Sequence, residues 1–403
     1  MTKQHRCELR TISAWLRTAI LSAGLLMSLL PSALAQTGDG DWSEPANLSR
    51  SGAASAPVLV TGPADRLRTL WWDQFDGITT ATFDGSAWSA PTRATIELVE
   101  VVNEEVKYTP IAAMPTIFGD LGGNAYALWL GQADRDTGLR PLLFSRLGAG
   151  SLAWTAPTAV AESALVWHAV ADPAGSVHLL YVRPTQSAAY PAGIYYRRSA
   201  SGGASWTGAR LLYPSVYLRG LDPQQAHFAL AADGAGTLIA AWDDPRLGRS
   251  MLRISPDNGE TWSEPQPLGS SEEGSRGVLV GLSQPGEALV LWQGVRVAAA
   301  CALYQQRSSD GGLTWGEPQR VLEGLNACPE RAALQRSADG ALLLVGSGAE
   351  LTLAAWNGSQ WSEPLRLGFS FRDPELGQQV YLGTLVAEVV SDTLAVLGQG
   401  QDN

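Results

Sequence analysis

Ser255-Pro-Asp-Asn-Gly-Glu-Thr-Trp-Ser-Glu-Pro265 decides the fold, because it returns as Ser308-Ser-Asp-Gly-Gly-Leu-Thr-Trp-Gly-Glu-Pro318. Both copies have the chemistry of a hairpin turn. Asp257 and Asp310 can accept hydrogen bonds from the amides of the turn itself. Gly259 and Gly312 can take a positive φ that a side chain would resist. Trp262 and Trp315 then hold a large apolar ring to bury between neighbouring sheets. Such a stretch is a folding device and not a reaction centre.

Working outward, weaker copies surround Trp42, Trp88, Trp154, Trp206 and Trp361, most of them followed by Ser/Thr-Glu/Ala-Pro. The seven tryptophans lie 46 to 66 residues apart and about 53 on average, in or slightly above the range of propeller blades. A second repeat interleaves with them: an apolar strand, a Gly/Asp/Asn turn, and another apolar strand. It occupies 57–72, 115–129, 166–181, 227–242, 279–292, 332–345 and 383–397. A third strand is clearest at 194–198, 251–255, 302–307 and 351–356, and the residues after each Trp turn make a fourth. Four antiparallel strands repeated radially make an all-β propeller. The counts predict seven four-stranded blades, with six as the alternative. The last strand pair has no Trp turn after it and Trp42 has no pair before it. The N- and C-terminal strands should therefore close one thin blade, 383–397 with 42–50.

The pattern Ser-x-Asp-x-Gly-x-Thr-Trp at Ser255, Asp257, Gly259 and Trp262, and again at Ser308, Asp310, Gly312 and Trp315, resembles the Asp-box of sialidase-like (BNR-repeat) β-propellers. The resemblance extends over 40–403. It implies a ligand site on the face opposite the Asp-boxes. It also implies, for a retaining sialidase, an early Phe/Tyr-Arg-Ile-Pro strand, two further arginines, a carboxylate acid/base, and a Tyr nucleophile with its Glu. The first innermost strand here is Ala56-Pro-Val-Leu-Val-Thr61, so the first of those arginines is missing. Arg183, Arg246, Arg276 and Arg331 are the positions that can supply guanidinium groups, and Tyr381 is the candidate late tyrosine.

On the opposite face the second-to-third-strand loops carry Asp73, Asp134, Arg183, Tyr190, Asp243, Asp244, Arg246 and Arg296. The connections between blades carry Tyr213, Tyr217, Arg219 and Arg276. Arginine can fork a carboxylate, and aromatic faces pack on pyranose rings, so the mixture suits an acidic sugar. Asp244 and Arg246, two apart, are better suited to pairing with each other to cap a loop, and Asp134 to capping its own. His168 and His227 begin innermost strands. With no metal-ligand spacing among the histidines, neither a metal nor any cofactor is expected.

The first 35 residues read as an export leader: Lys3, Arg6, Arg10 and Arg17, then the apolar run 18–30, then Ala33-Leu-Ala35. Residues 36–403 would be the propeller, secreted or periplasmic, with no membrane span. The formal charge of −11 becomes −14 without the leader, which argues against nucleic acid as partner. Cys301 and Cys328 are left to form one disulfide. Three functions fit. The first is a monomeric propeller that binds a glycan or an extracellular protein surface without efficient catalysis. The others are a sialidase-like glycoside hydrolase and an assembly scaffold.

Overall fold

The computed structural model describes residues 7–13 and 47–402. Within them, 52, 65, 103–104, 187–189, 224–225, 270–273, 285, 295–301, 322–330, 338–339, 348–349, 369, 373–378 and 391–392 are outside the description. Six four-stranded antiparallel sheets follow one another along the chain, an arrangement consistent with a β-propeller. Their innermost strands are Ala54–Thr61, Thr116–Gly119, Trp167–Ala171, Phe228–Ala232, Ser275–Gln284 and Arg331–Ser337. Each is followed by its second, third and fourth strands in chain order. All seven strand pairs expected from the sequence are present, down to a turn at 233–237 between Phe228–Ala232 and Leu238–Asp244.

Alternation explains how the sheets pack. Every residue of Val177–Arg183 is buried, because both faces of this strand meet another sheet. Val177, Leu179 and Tyr181 join Tyr126, Leu128 and Phe144 of the second sheet. Leu180 and Val182 join Leu230, Ala240 and Trp242 of the fourth. The core is thus divided among the seams, each shared by two consecutive sheets. Five of the innermost strands and Leu334 of the sixth surround an axial cavity of about 500 Å³.

The Asp-boxes lie at those seams. Ser255 Oγ accepts from the Gly259 amide (2.8 Å), and Asp257 accepts from the Thr261 amide and hydroxyl (2.7 and 2.6 Å). Ser308, Gly312, Asp310 and Thr314 repeat the pattern at 2.7, 2.9 and 2.6 Å. Gly259 has φ +87° and Gly312 φ +91°. Trp262 meets Tyr196 of the preceding sheet edge-on, and Trp206 meets Phe144 in the same way. Arg197 and Arg253 reinforce these seams, each donating to a carbonyl in the outer strand of the preceding sheet, Val160 and Leu212.

The hydrogen bonds from Ser308 and then Thr314 hold the Asp310 carboxyl at about 2, below the ordinary value near 3.9. A depressed folded-state value adds stability that is complete above about pH 4 and is lost as pH falls through about 2. Asp310→Asn should therefore melt below the wild type at pH 6, with the gap closing towards pH 2. A gap that is constant with pH would show that the carboxylate charge is irrelevant.

Two features depart from expectation. A hairpin, Glu97–Val102 with Glu105–Pro110, stands between the first and second sheets where the sequence suggested a plain connection. The C-terminal strands Gln379–Val390 and Thr393–Asp402 pair with each other, and the outer neighbour of the latter is Cys7–Ser13 rather than 42–50. The outer edge of 393–402 can pair with any extended segment, and Cys7–Ser13, within the expected leader, occupies it. With Ser370–Arg372 this makes a further four-stranded sheet instead of a thin one. Trp42 lies outside the described residues. The first innermost strand packs against both 379–390 and 393–402.

Candidate ligand site opposite the Asp-boxes

The loops on this face are built on a second recurrent turn. Asp73-Gln-Phe-Asp-Gly77, Asp134-Arg-Asp-Thr-Gly138 and Asp244-Pro-Arg-Leu-Gly248 share an Asp and, four residues on, a Gly at φ between 60° and 72°. In each, one carboxylate oxygen accepts from the amides two and three residues ahead. The distances are 2.9 and 3.1 Å at Asp73, 3.1 and 2.8 Å at Asp134, and 2.8 and 2.9 Å at Asp244. Asp134 therefore caps its own loop, as expected. Asp244 engages Arg246 through the backbone amide and makes no side-chain ion pair with it, because the tight turn aims the amide at the carboxylate.

The other oxygen of Asp244 accepts from the Tyr213 hydroxyl at 2.7 Å, tying the fourth sheet's loop to the outer strand of the third. Burial, and then this bond, push the Tyr213 hydroxyl up to about 12. Above the tie lies a recess of about 290 Å³ lined by Gln186, Pro191, Tyr213, Ser215, Tyr217 and Arg246, among others. The Arg246 guanidinium stands 5.2 Å from the centre of the Tyr217 ring, which is 55% exposed. Arg219 donates to Gln186 Oε1 at 2.9 Å on the rim. Eight large apolar side chains are exposed among the described residues, and four of them (Tyr190, Val216, Tyr217, Leu247) belong to the segments around this recess.

Arg183 is buried at the end of its strand. It pairs with Glu162 at 3.3 Å and lies 5.2 Å from the Tyr190 ring centre. Asp243 staples the fourth sheet to the fifth: it accepts from Ser250 Oγ and from the Gly277 amide, both at 2.6 Å. Burial raises its carboxyl above the ordinary range. Arg276, beside Gly277, is exposed. His168 is half-buried on its innermost strand, and desolvation pushes its imidazole down to about 4, so that it is neutral at pH 7.

The structure thus gathers Arg246, Tyr213 and Tyr217 at one seam, Arg183 and Tyr190 on the neighbouring loop, and Asp243 and Arg276 at the next seam. Asp73 stays apart in the first sheet. Tyr381 is placed by its backbone alone, between Ser370 and Gln401. Arg296, Cys301 and Cys328 lie outside the described residues. Sequence reasoning missed Glu162 and Gln186, whose partners are 21 and 33 residues away and carry no local signal. Among the described residues, no group of three or more His, Cys, Asp or Glu side chains is placed to hold a metal ion, and no helix is long and apolar enough to cross a membrane.

Residues 123–370 match the family model of the BNR repeat-like domain. Among solved structures, the chain is similar to an ulvan lyase, a polysaccharide lyase bound to -[GlcA(1-4)Rha3S]-. That match has a TM-score of 0.52 and 12% identity, and covers 87% of this chain and 94% of the lyase. A lectin from Aleuria aurantia in complex with Fucalpha1-6GlcNAc matches with a TM-score of 0.42 and 12% identity over 77% of this chain and 94% of the lectin. The NanB sialidase from Streptococcus pneumoniae matches with a TM-score of 0.38 and 15% identity over 88% of this chain and 66% of the sialidase. At such identities the likeness is one of fold. No curated protein matches the chain.

Proposed function

Because the chain belongs to the BNR repeat-like domain family, we propose that it is an exported, monomeric seven-bladed propeller that binds a glycan opposite its Asp-boxes without turning it over efficiently. The observation that carries the binding reading is the concentration of exposed aromatic and apolar side chains around a recess with an arginine in cation–π contact with one of them. Aromatic faces and guanidinium forks are the groups that hold pyranose rings and their acidic substituents. Seven blades follow if the sheet of 379–402 closes the ring against the first sheet, on which it packs. Loss of a leader ending at Ala35 would remove Cys7–Ser13 with it. The open edge of 393–402 would then fall to 42–50.

The reading against catalysis rests on chemistry. A sialoside's carboxylate must be held while the anomeric carbon develops positive charge, and the first innermost strand offers no arginine for that hold. Losing one bidentate arginine from a desolvated site costs about 2–5 kcal/mol, or about one and a half to three and a half decades in rate. The buried carboxylates of this face are also engaged by the protein itself. Asp73 and Asp244 fix their loops, and both oxygens of Asp243 accept hydrogen bonds.

A fluorogenic sialoside should therefore give no turnover above background, while a glycan array probed with the same protein should show binding. Turnover abolished by Asp243→Asn would replace this reading with a hydrolase. An array without a single bound glycan would end the binding reading.

A further inference from the structure

The geometry points to the recess between the third and fourth sheets as the site for one sugar ring bearing a single oxyanion, a uronate carboxylate or a sulfate ester, held by Arg246 with Tyr217 as its platform. This rests on the glycan-binding reading and narrows it to a place and a ligand class.

Arg246 is exposed, and among the described residues no carboxylate pairs with its guanidinium. The acid next to it in the turn, Asp244, has both oxygens occupied, by the Arg246 and Leu247 amides and by the Tyr213 hydroxyl. The fork is therefore available to a ligand, yet it is not loose. The Tyr217 ring, 5.2 Å from the guanidinium carbon, restrains the side chain by a cation–π contact, and the Asp244 turn fixes the backbone that carries it. A guanidinium restrained in this way suits bidentate recognition of a carboxylate or a sulfate.

The rest of the recess argues for a sugar over a bare ion. Tyr217 and Val216 are about half exposed and offer apolar surface, while Ser215 and Gln186 offer polar groups beside it. The volume of about 290 Å³ lies at the small end for ligand pockets, enough for one ring. The second arginine of this seam, Arg219, is already committed to Gln186, so one anionic group is what the recess can fork.

Isothermal titration of the full-length protein tests this with a galacturonate trisaccharide, its methyl ester, a sulfated galactose trisaccharide and the unsulfated sugar. The acid, the sulfate ester or both should bind, and the neutral counterpart should bind at least about tenfold more weakly, the order expected of one charge-assisted fork. Arg246→Gln should weaken the anionic ligand by a similar factor and leave any neutral ligand unchanged. Arg246→Lys should recover little, because a point charge neither forks nor stacks. Tyr217→Ala should weaken all ligands severalfold. Binding of the sulfate ester alone, lost in Arg246→Gln, would support the site and identify the oxyanion.

Equal affinity for acid and methyl ester, or unchanged binding by Arg246→Gln, would overturn the inference. If neutral glycans then still bind on the array, the broader reading stands without it. If none do, both fall.

Discussion

Gly259→Ala is expected to destabilise the protein by about 2–5 kcal/mol. Two costs add. The backbone at Gly259 holds φ +87°, where an L-residue is strained by about 1–2 kcal/mol. An added Cβ would stand 2.2 Å from Cε1 of Tyr196, so the aromatic ring of the preceding sheet must shift, an overpacking cost of about 1–3 kcal/mol. Gly203→Ala meets Phe144 at 2.0 Å in the equivalent place of the previous seam and should behave alike. Gly208→Ala is the control: nothing lies within 4 Å of its Cβ position, and its change should stay within about 0.5 kcal/mol. Urea denaturation of the three variants measures the difference. Gly259→Ala unfolding like Gly208→Ala would show that the seam has slack the geometry denies.

Deletion of 383–403 should have a larger effect still. The first sheet has two buried faces. Leu70 and Ile78 turn towards the second sheet, whereas Ala54, Leu59, Leu67 and Trp71 turn the other way. Trp71 is fully buried, and the sheet that the deletion disrupts is the one packed on that side. Exposing an indole of about 200 Å² costs about 5 kcal/mol at 25 cal/mol per Å², before the aliphatic neighbours are counted. Because each sheet is supported only by its neighbours, the loss should spread to the sheets beyond. The truncated chain should be insoluble or melt far below the full-length protein. Equal melting temperatures would show that these strands do not close the ring.

Much of this was legible in the sequence. The Trp turns and strand pairs were readable because their signals are local: alternation, a Gly at a turn, an Asp two to four residues from the amides it binds. By the same rule the Asp-x-x-x-Gly turns at Asp73, Asp134 and Asp244 were readable, yet they look like ligand acids when residue type alone is weighed. Their carboxylates turn out to serve the backbone. The Arg246–Tyr217 cation–π pair is 29 residues apart in sequence and joins two sheets, so no spacing announces it. The Asp243–Gly277 staple crosses a seam and depends on a bulge in the strand beginning at Ser275, which only three-dimensional register reveals. The pairing of strand 393–402 with Cys7–Ser13 was not legible, because a ladder edge specifies direction and not sequence.

The carboxylate-capped loops have one further consequence. Ordering a residue's backbone costs about 1–2 kcal/mol of conformational entropy. In the turns after Asp73, Asp134 and Asp244 that loss is incurred when the chain folds, since each turn is fastened to its own carboxylate. A ligand arriving on this face therefore meets a surface with little freedom left to surrender, and most of the ordering at association falls on the ligand itself. Flexible ligands should accordingly bind with a less favourable entropy than rigid ones presenting the same groups, while the protein's own loops contribute little to the difference.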